Sequence, residues 1–340
     1  MQSDWHTVQK EVRLSSHIHP LAANADKMPS SDHSSTAHAA LAELIRQAGG
    51  VVLGKERQIR LALTCLVARG HLLIEDLPGV GKTTLAQLLA RLLGLQFQRI
   101  QFTSDMLPAD IIGVSVFERA SNRFVFHPGP IFSQLNLADE VNRATPKTQS
   151  ALLEAMEEGQ VTTEGMTRRL PTPFFVIATQ NPSHHIGTFP LPESQLDRFL
   201  MKIELGYPDR KAERELLLGA DRREMIAGLA TALTPDELQS LQQAAGRIHV
   251  SAPIIDYVQA LVAYTRHCPD YQFGLSPRAA LALLAAARAW ALLDGRGHVL
   301  PEDIQAVLPA VAPHRLRSTG QTRRSAGEIA RALIEAVALP

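Results

Sequence analysis

The chain has little of what staples or anchors a protein. Only two of its 340 residues are cysteine, Cys65 and Cys268. They lie far apart, each inside or near a helical pattern, and read as ordinary thiols of a reducing compartment rather than a disulfide or metal framework. Net charge is missing too, because 34 Lys and Arg balance 34 Asp and Glu. That removes the electrostatic case for bulk nucleic-acid or anionic-membrane binding, although a local patch is compatible with it. No apolar run can span a bilayer. The longest, residues 279–293, is alanine-rich and broken by Arg288, so it reads as a packed helix. The first twenty residues carry Lys10, Arg13 and three histidines with no apolar core, which argues against a secretory signal. The expectation is a soluble cytoplasmic protein with no transmembrane segment. Its length leaves room for two domains of about 100–200 residues each.

What the chain does have is concentrated in residues 71–84, HLLIEDLPGVGKTT. A short apolar strand at 71–74 leads through Pro78, Gly79 and Gly81 to Lys82-Thr83 and a helix expected over 84–93. Strand, glycine turn and helix N-terminus together make an anion site, with backbone N–H groups turned inward and a lysine above them. This is the pattern of a nucleotide phosphate-binding loop, formed by Gly79, Val80, Gly81, Lys82, Thr83 and Thr84. The full pattern asks for a first glycine at 76, where this chain has Asp76.

Residues 1–36 are rich in Ser, His, Asp and Ala and read as a disordered polar tail. The spacing of His6, His17, His19, His33 and His38 fits no metal-ligand pattern. A helix is expected from Thr36, capped by Ser35 or Thr36 and ended by Gly49-Gly50. Residues 51–54 then read as a short extended piece, either a plain connector or a contact for an adenine base, before a second helix over 55–69.

After the phosphate loop, residues 97–102 alternate as a second strand. Residues 103–132 form an excursion holding a β-hairpin, 114–117 with 123–126. The apolar strand 135–138 then delivers Asp139-Glu140. In a nucleotide site the first acid holds Mg²⁺ together with the loop threonine, Thr83, and the second polarises the attacking water. Asn136 interrupts that strand. It either meets a partner for its amide or weakens the strand. A helix over 145–158 follows, with Thr145 as cap, Pro146 at its first position and Met156 as core filler. A second hairpin over 159–170 turns near Glu164-Gly165.

A fourth strand, 174–179, ends in Gln180-Asn181-Pro182. Parallel strands present their C-terminal ends together, where ligands bind. Asn181 is therefore either a holder of the attacking water or part of an Asn-Pro turn. His184-His185 has no carboxylate placed beside it. Arg198 sits on the rim before a fifth strand, 200–205, where a solvated arginine is the plain reading. Beyond Pro208 only helices are expected, with a capping box at Thr234 and Glu237 and helix starts near Ser251, Ser276 and Pro301. Arg278 falls in a first helical turn, which disfavours a cation and leaves either a partner anion or surface placement.

Taken together, the strings EDLPGVGKTTLA, FTSDMLPADIIG, PGPIF, ADEVNRATPKTQSALLEAMEEGQVT and ATQNPSHHIGTFPLPESQLDRFLMKI resemble the MoxR family of AAA+ ATPases, closely over residues 54–205 and more loosely to about 335. The resemblance implies a five-stranded parallel α/β P-loop sheet flanked by helices over 37–206, carrying two inserted hairpins. A linker helix and a small all-α lid would fill 207–340. It implies ATP and Mg²⁺ as ligands. Lys82 would bind the β- and γ-phosphates, Thr83 and Asp139 the metal, and Glu140 would activate water. Asn181 would be the sensor-1 amide, Arg278 the sensor-2 arginine of the lid, and Arg198 an arginine finger reaching the neighbouring subunit. That sharing implies a homo-oligomeric ring, usually a hexamer. The hairpins would face the pore or a client. Family members act as chaperone-like machines on protein clients, usually with von Willebrand factor A domain partners. Two other readings remain: a nucleotide-dependent switch or scaffold with little turnover, and a metal-chelatase-type motor subunit. A DNA motor is disfavoured by the neutral charge and by the lack of a basic or winged-helix appendage.

Overall fold

The computed structural model describes residues 31–181, 187–319 and 324–339. The histidines expected to bind no metal at 6, 17 and 19, the pair His184-His185, and most of the expected tail lie outside these residues. His38 is described, and its Nδ1 lies 3.0 Å from the carbonyl of Leu293.

The described residues hold nine strands: β1 (Leu72–Glu75), β2 (Phe97–Gln101), β3 (Gly113–Glu118), β4 (Arg123–Pro128), β5 (Leu135–Asp139), β6 (Gln160–Thr163), β7 (Met166–Arg169), β8 (Phe175–Gln180) and β9 (Met201–Ile203). Five of them form one parallel sheet in the order β2-β5-β8-β1-β9. The other four make two antiparallel hairpins, β3 with β4 and β6 with β7.

The apolar strands carry two cores because successive side chains leave opposite faces. Leu72, Ile74, Leu135, Leu137, Phe175 and Ile177 face one cluster, which runs on without a break into the C-terminal helices. Leu73, Ala138, Val176 and Ala178 face the other, under the helix Pro146–Glu158 with Leu152, Leu153 and Met156. Asn136 points to this second side and is fully buried. Its Oδ1 accepts from Ser133 Oγ at 2.8 Å, and its Nδ2 donates to the carbonyls of Ser133 and Ile131 at 2.9 and 3.2 Å. The amide therefore pins the incoming turn to the strand, so the residue strengthens β5 instead of weakening it.

Over the stretch expected to hold a linker helix and a lid, the helices are Arg210–Leu218, Arg222–Gly228, Pro235–Arg247, Ala252–His267, Pro277–Leu293, Pro301–Val311 and Ala326–Ala336. The capping box at Thr234 and Glu237 forms in full. The lid leans on the core helix Glu56–Val67, where the Arg60 guanidinium lies 4.1 Å from the Trp290 ring centroid and pairs with Asp294. Among the described residues no helix is long and apolar enough to cross a membrane.

Three local expectations need correcting. The first helix runs over Ser31–Val51, so it starts before Thr36 and passes through Gly49-Gly50. Residues 51–54 are consequently a helix end and a turn, not an extended piece; Leu41, Leu44, Ala48 and Val51 are all buried, and their packing outweighs the two glycines. A short helix, Pro108–Ile112, lies within the excursion and was not expected, because five residues are too few to show a period.

The start of β1 is fixed by a buried histidine. His71 Nδ1 accepts from the Val176 N–H at 3.0 Å, and Nε2 donates to the Met156 carbonyl at 3.1 Å. The bond accepted at Nδ1 needs the neutral ring, and burial pushes its pKa from 6.5 down to about 4 against the opposing effect of the Met156 carbonyl. Above pH 6.5 the ring is neutral folded or unfolded; between 6.5 and 4 the unfolded chain takes up the proton first, so stability is lost as pH falls. Denaturant unfolding at pH 7 and pH 5 should show the wild type losing about 2 kcal/mol more than His71→Gln over that interval. Equal losses would mean that His71 is not held neutral.

Candidate functional site

The parallel register brings the ends of β1, β5 and β8 to one edge. The phosphate loop leaves β1 there and enters the helix Lys82–Leu92. Gly79 and Gly81 adopt φ of +83° and +96°, and a Cβ on either would meet no atom within 4 Å. Glycine is required here for backbone conformation rather than for room.

Asp76 accounts for the glycine missing from the pattern. Its backbone need not turn left-handed, and its carboxylate is fully used. Oδ2 accepts the N–H groups of Leu205 and Gly206, each at 2.6 Å, and Oδ1 accepts the N–H of Leu77 at 2.7 Å. The side chain thus anchors the root of the loop to the end of β9.

Lys82 is buried, with Nζ donating to the Asp76 carbonyl at 2.6 Å and to Asn181 Oδ1 at 3.3 Å. Burial lowers its pKa, and the nearby charges of Asp76, Asp139 and Glu140 oppose that shift. Asn181 Nδ2 donates to Glu140 Oε1 at 3.2 Å, so one amide bridges the lysine and the second acid. Glu140 sits at φ +57°, a left-handed conformation rare for a non-glycine residue. Its N–H donates to Thr179 Oγ1 at 2.9 Å, and Gln101 and Arg143 approach its Oε2 at 3.2 and 3.1 Å. Asp139 Oδ1 accepts from Thr179 Oγ1 at 2.6 Å, and Oδ2 accepts from the Arg99 guanidinium at 2.7 and 3.1 Å.

Sequence reasoning missed Arg99, Gln101 and Thr179. Their signal is the period of two: Thr179 shares a strand face with Asn181, and Arg99 with Gln101. Thr83 lies in the first helical turn beside Lys82, half-buried. Its hydroxyl and the Asp139 carboxylate are hard oxygen donors, which suits Mg²⁺, an ion that takes one or two protein oxygens and completes its shell with phosphate and water.

Arg198 and Arg278 are not part of this gathering. Both pair with Glu157 at the end of the helix Pro146–Glu158, Arg198 at 3.0 Å. Neighbouring groups place this cluster at the start of β1. The Leu200 N–H donates to the His71 carbonyl at 2.9 Å, and Met156 receives the His71 ring. Lys82 lies past the other end of a four-residue strand, about 13 Å away along the strand axis alone. Arg278 therefore does not reach the phosphate loop of this chain, and its helix leaves it beside Arg198. Arg278 draws the Glu157 carboxyl below its ordinary range, chiefly through their hydrogen bond. Behind them the buried Arg315 holds Asp197 at 2.7 Å and the Phe199 carbonyl at 2.6 Å, fixing the backbone on either side of Arg198.

Comparison with known proteins places this geometry. Residues 71–201 match the ATPase family associated with various cellular activities (AAA), and residues 263–336 match the AAA lid domain. The Bacillus subtilis protein YeaC is 43% identical over 306 residues, which span 89% of this chain and 96% of that protein. Chaperone MoxR1 of Mycobacterium tuberculosis is 42% identical over 277 residues, 78% of this chain and 72% of that one. A crystal structure from Cytophaga hutchinsonii of a protein assigned as an ATPase superposes with a TM-score of 0.84 at 35% identity, covering 92% of this chain and 98% of its own. At such identity over most of both chains, and with both AAA units matched, this chain belongs to the MoxR family of AAA+ ATPases.

Proposed function

We propose that the chain hydrolyses ATP with Mg²⁺ in a closed homo-oligomeric ring, a hexamer by the family resemblance, in which neighbouring subunits share each site, and that it uses the cycle to remodel client proteins.

 The observation that carries this reading is the split just described: Lys82, Thr83, Asp139, Glu140 and Asn181 stand at one edge of the sheet, while Arg198 and Arg278 stand at the other. One subunit offers two half-sites facing different ways, and joining them takes a second copy. A guanidinium supplied from a neighbour neutralises charge on the transferred phosphoryl group and is worth roughly 10³–10⁵ in rate in other triphosphatases.

In the proposed reaction the loop N–H groups and Lys82 hold the β- and γ-phosphates. Bound Mg²⁺ neutralises phosphate charge, and Thr83 and Asp139 would hold it, which requires Asp139 to exchange Arg99 for the metal. Glu140 orients the attacking water and takes its proton. Asn181, already bonded to both Lys82 and Glu140, keeps the base and the phosphate-binding group in register. Arg198 and Arg278 enter the site of the adjoining subunit. Support for a client surface comes from the hairpins, where Phe117 and Phe124 stack edge-to-face at 5.3 Å while 47% and 71% exposed, and Met166 is 61% exposed. A von Willebrand factor A domain partner and a cytoplasmic setting are carried over from the family resemblance.

Lys82→Ala should abolish ATP binding, measured by calorimetry or fluorescent-nucleotide titration. Glu140→Gln should bind ATP normally and turn it over about 10²–10⁴-fold more slowly. Normal turnover by Glu140→Gln would refute the assigned base.

Subunit mixing tests the shared site. Arg198→Ala and Glu140→Gln, each inactive alone, should recover on 1:1 mixing up to roughly a quarter of the wild-type rate, the share of random interfaces with both groups intact. Arg198→Ala mixed with Arg278→Ala should not recover, because both arginines serve the same neighbouring site. Recovery in that second mixture would put Arg278 to work in its own subunit.

A further inference from the structure

A second basic feature lies beyond the half-site of Arg198 and Arg278, farther along the lid helix Pro277–Leu293. A cavity of about 420 Å³ opens there between lid and core. Three arginines line it, each from a different element: Arg69 just past the core helix Glu56–Val67, Arg247 at the end of the lid helix Pro235–Arg247, and Arg288 within Pro277–Leu293. Gln242 and Gln243 add two side-chain amides. No acid lines the cavity, and among the described residues none of the three arginines has an ion-pair partner.

Arg69 and Arg247 are exposed and Arg288 is half-buried, and two further observations bear on the cluster. Arg288 Nε is buried without a hydrogen-bond partner, which is costly for a charged donor. Arg69 adopts φ +57° at the position after a helix where glycine is the usual occupant. A non-glycine residue there is strained, so the backbone alone would favour glycine over the arginine found there. The floor is firm, since Gln242 Nε2 donates to the Leu66 carbonyl at 2.9 Å.

We propose that this cavity binds a phosphate-bearing anion, either inorganic polyphosphate or the phosphate chain of a nucleotide, at a site separate from the phosphate loop. The chemistry selects phosphate over carboxylate. Three arginines reach one cavity from three elements, and a carboxylate is planar and satisfies one guanidinium fork well. A tetrahedral phosphate presents oxygens in three dimensions, and a chain of them serves all three forks. The volume lies within the range of small-ligand sites. Because Arg69 belongs to the core and Arg247 and Arg288 to the lid, an anion held by all three ties the two together. Occupancy therefore favours one lid position.

The test is thermal unfolding of the full chain carrying Lys82→Ala, which disables the phosphate loop. Tripolyphosphate and ATP are titrated separately. Saturation with tripolyphosphate should raise Tm by about 3–6 °C, and adding Arg247→Gln and Arg288→Gln should remove the rise. A shift with ATP as well assigns the site to nucleotides; a shift with tripolyphosphate alone assigns it to polyphosphate. Should the double glutamine variant misfold by circular dichroism, Arg247→Glu, a single change at an exposed helix end, serves in its place and should cut the apparent affinity at least tenfold. The proposal is overturned if the shift survives these substitutions, if neither phosphate compound shifts Tm, or if only a hexaglutamate peptide does.

Discussion

The parallel register of β1 between β8 and β9 is the constraint on which the rest depends. Leu72 stands beside Ile177 and Met201, and Ile74 beside Thr179 and Ile203. With all three strands running the same way, their C-terminal ends collect Asp76, Asn181 and the backbone of Leu205 and Gly206. Their N-terminal ends collect His71, Val176 and Leu200. A slip of one residue would turn every side chain to the opposite face and exchange the two cores, so the buried leucines and isoleucines fix the register strongly. Hydrogen bonds lock both ends: the Asp76 carboxylate closes one, and the His71 imidazole the other. The chemistry of the molecule is thus sorted by strand direction before any catalytic side chain is considered.

Features written in contiguous residues were legible in the sequence. The phosphate loop follows from strand, glycines and helix in a row, and the acid pair follows from an apolar strand that ends in charge. The capping box at Thr234 and Glu237 is local by nature. What was not legible depends on partners distant in the chain. Asp76 showed in sequence only as a departure from the loop pattern, and its role rests on oxygens that accept from residues 205 and 206. Asn136 looked like a weakness until Ser133 and Ile131 took up its amide. Arg99 is unremarkable in sequence, because its partner Asp139 arrives by strand pairing forty positions later. Arg278 shows the same limit most clearly. Its helix was legible from Ser276-Pro277, but the side of the core on which the lid would set it was not.

The meeting of Arg198 and Arg278 on Glu157 has a consequence for charge. Two guanidiniums share one carboxylate, which leaves the cluster one positive charge in excess, half-exposed on the surface. Asp197 does not offset this excess, because the buried Arg315 already holds it. An anion that approaches this surface meets a site that is charged, positioned and only partly neutralised. The helix Pro146–Glu158 connects this site with the other half. It begins just after the turn Val141–Arg143, where Arg143 touches Glu140, and it ends on Glu157, about 20 Å away at 1.5 Å per residue. One helix thus has the second acid of the pair, Glu140, near its root and Glu157, the shared partner of Arg198 and Arg278, at its tip, so the two ends of the sheet are spanned by a single element.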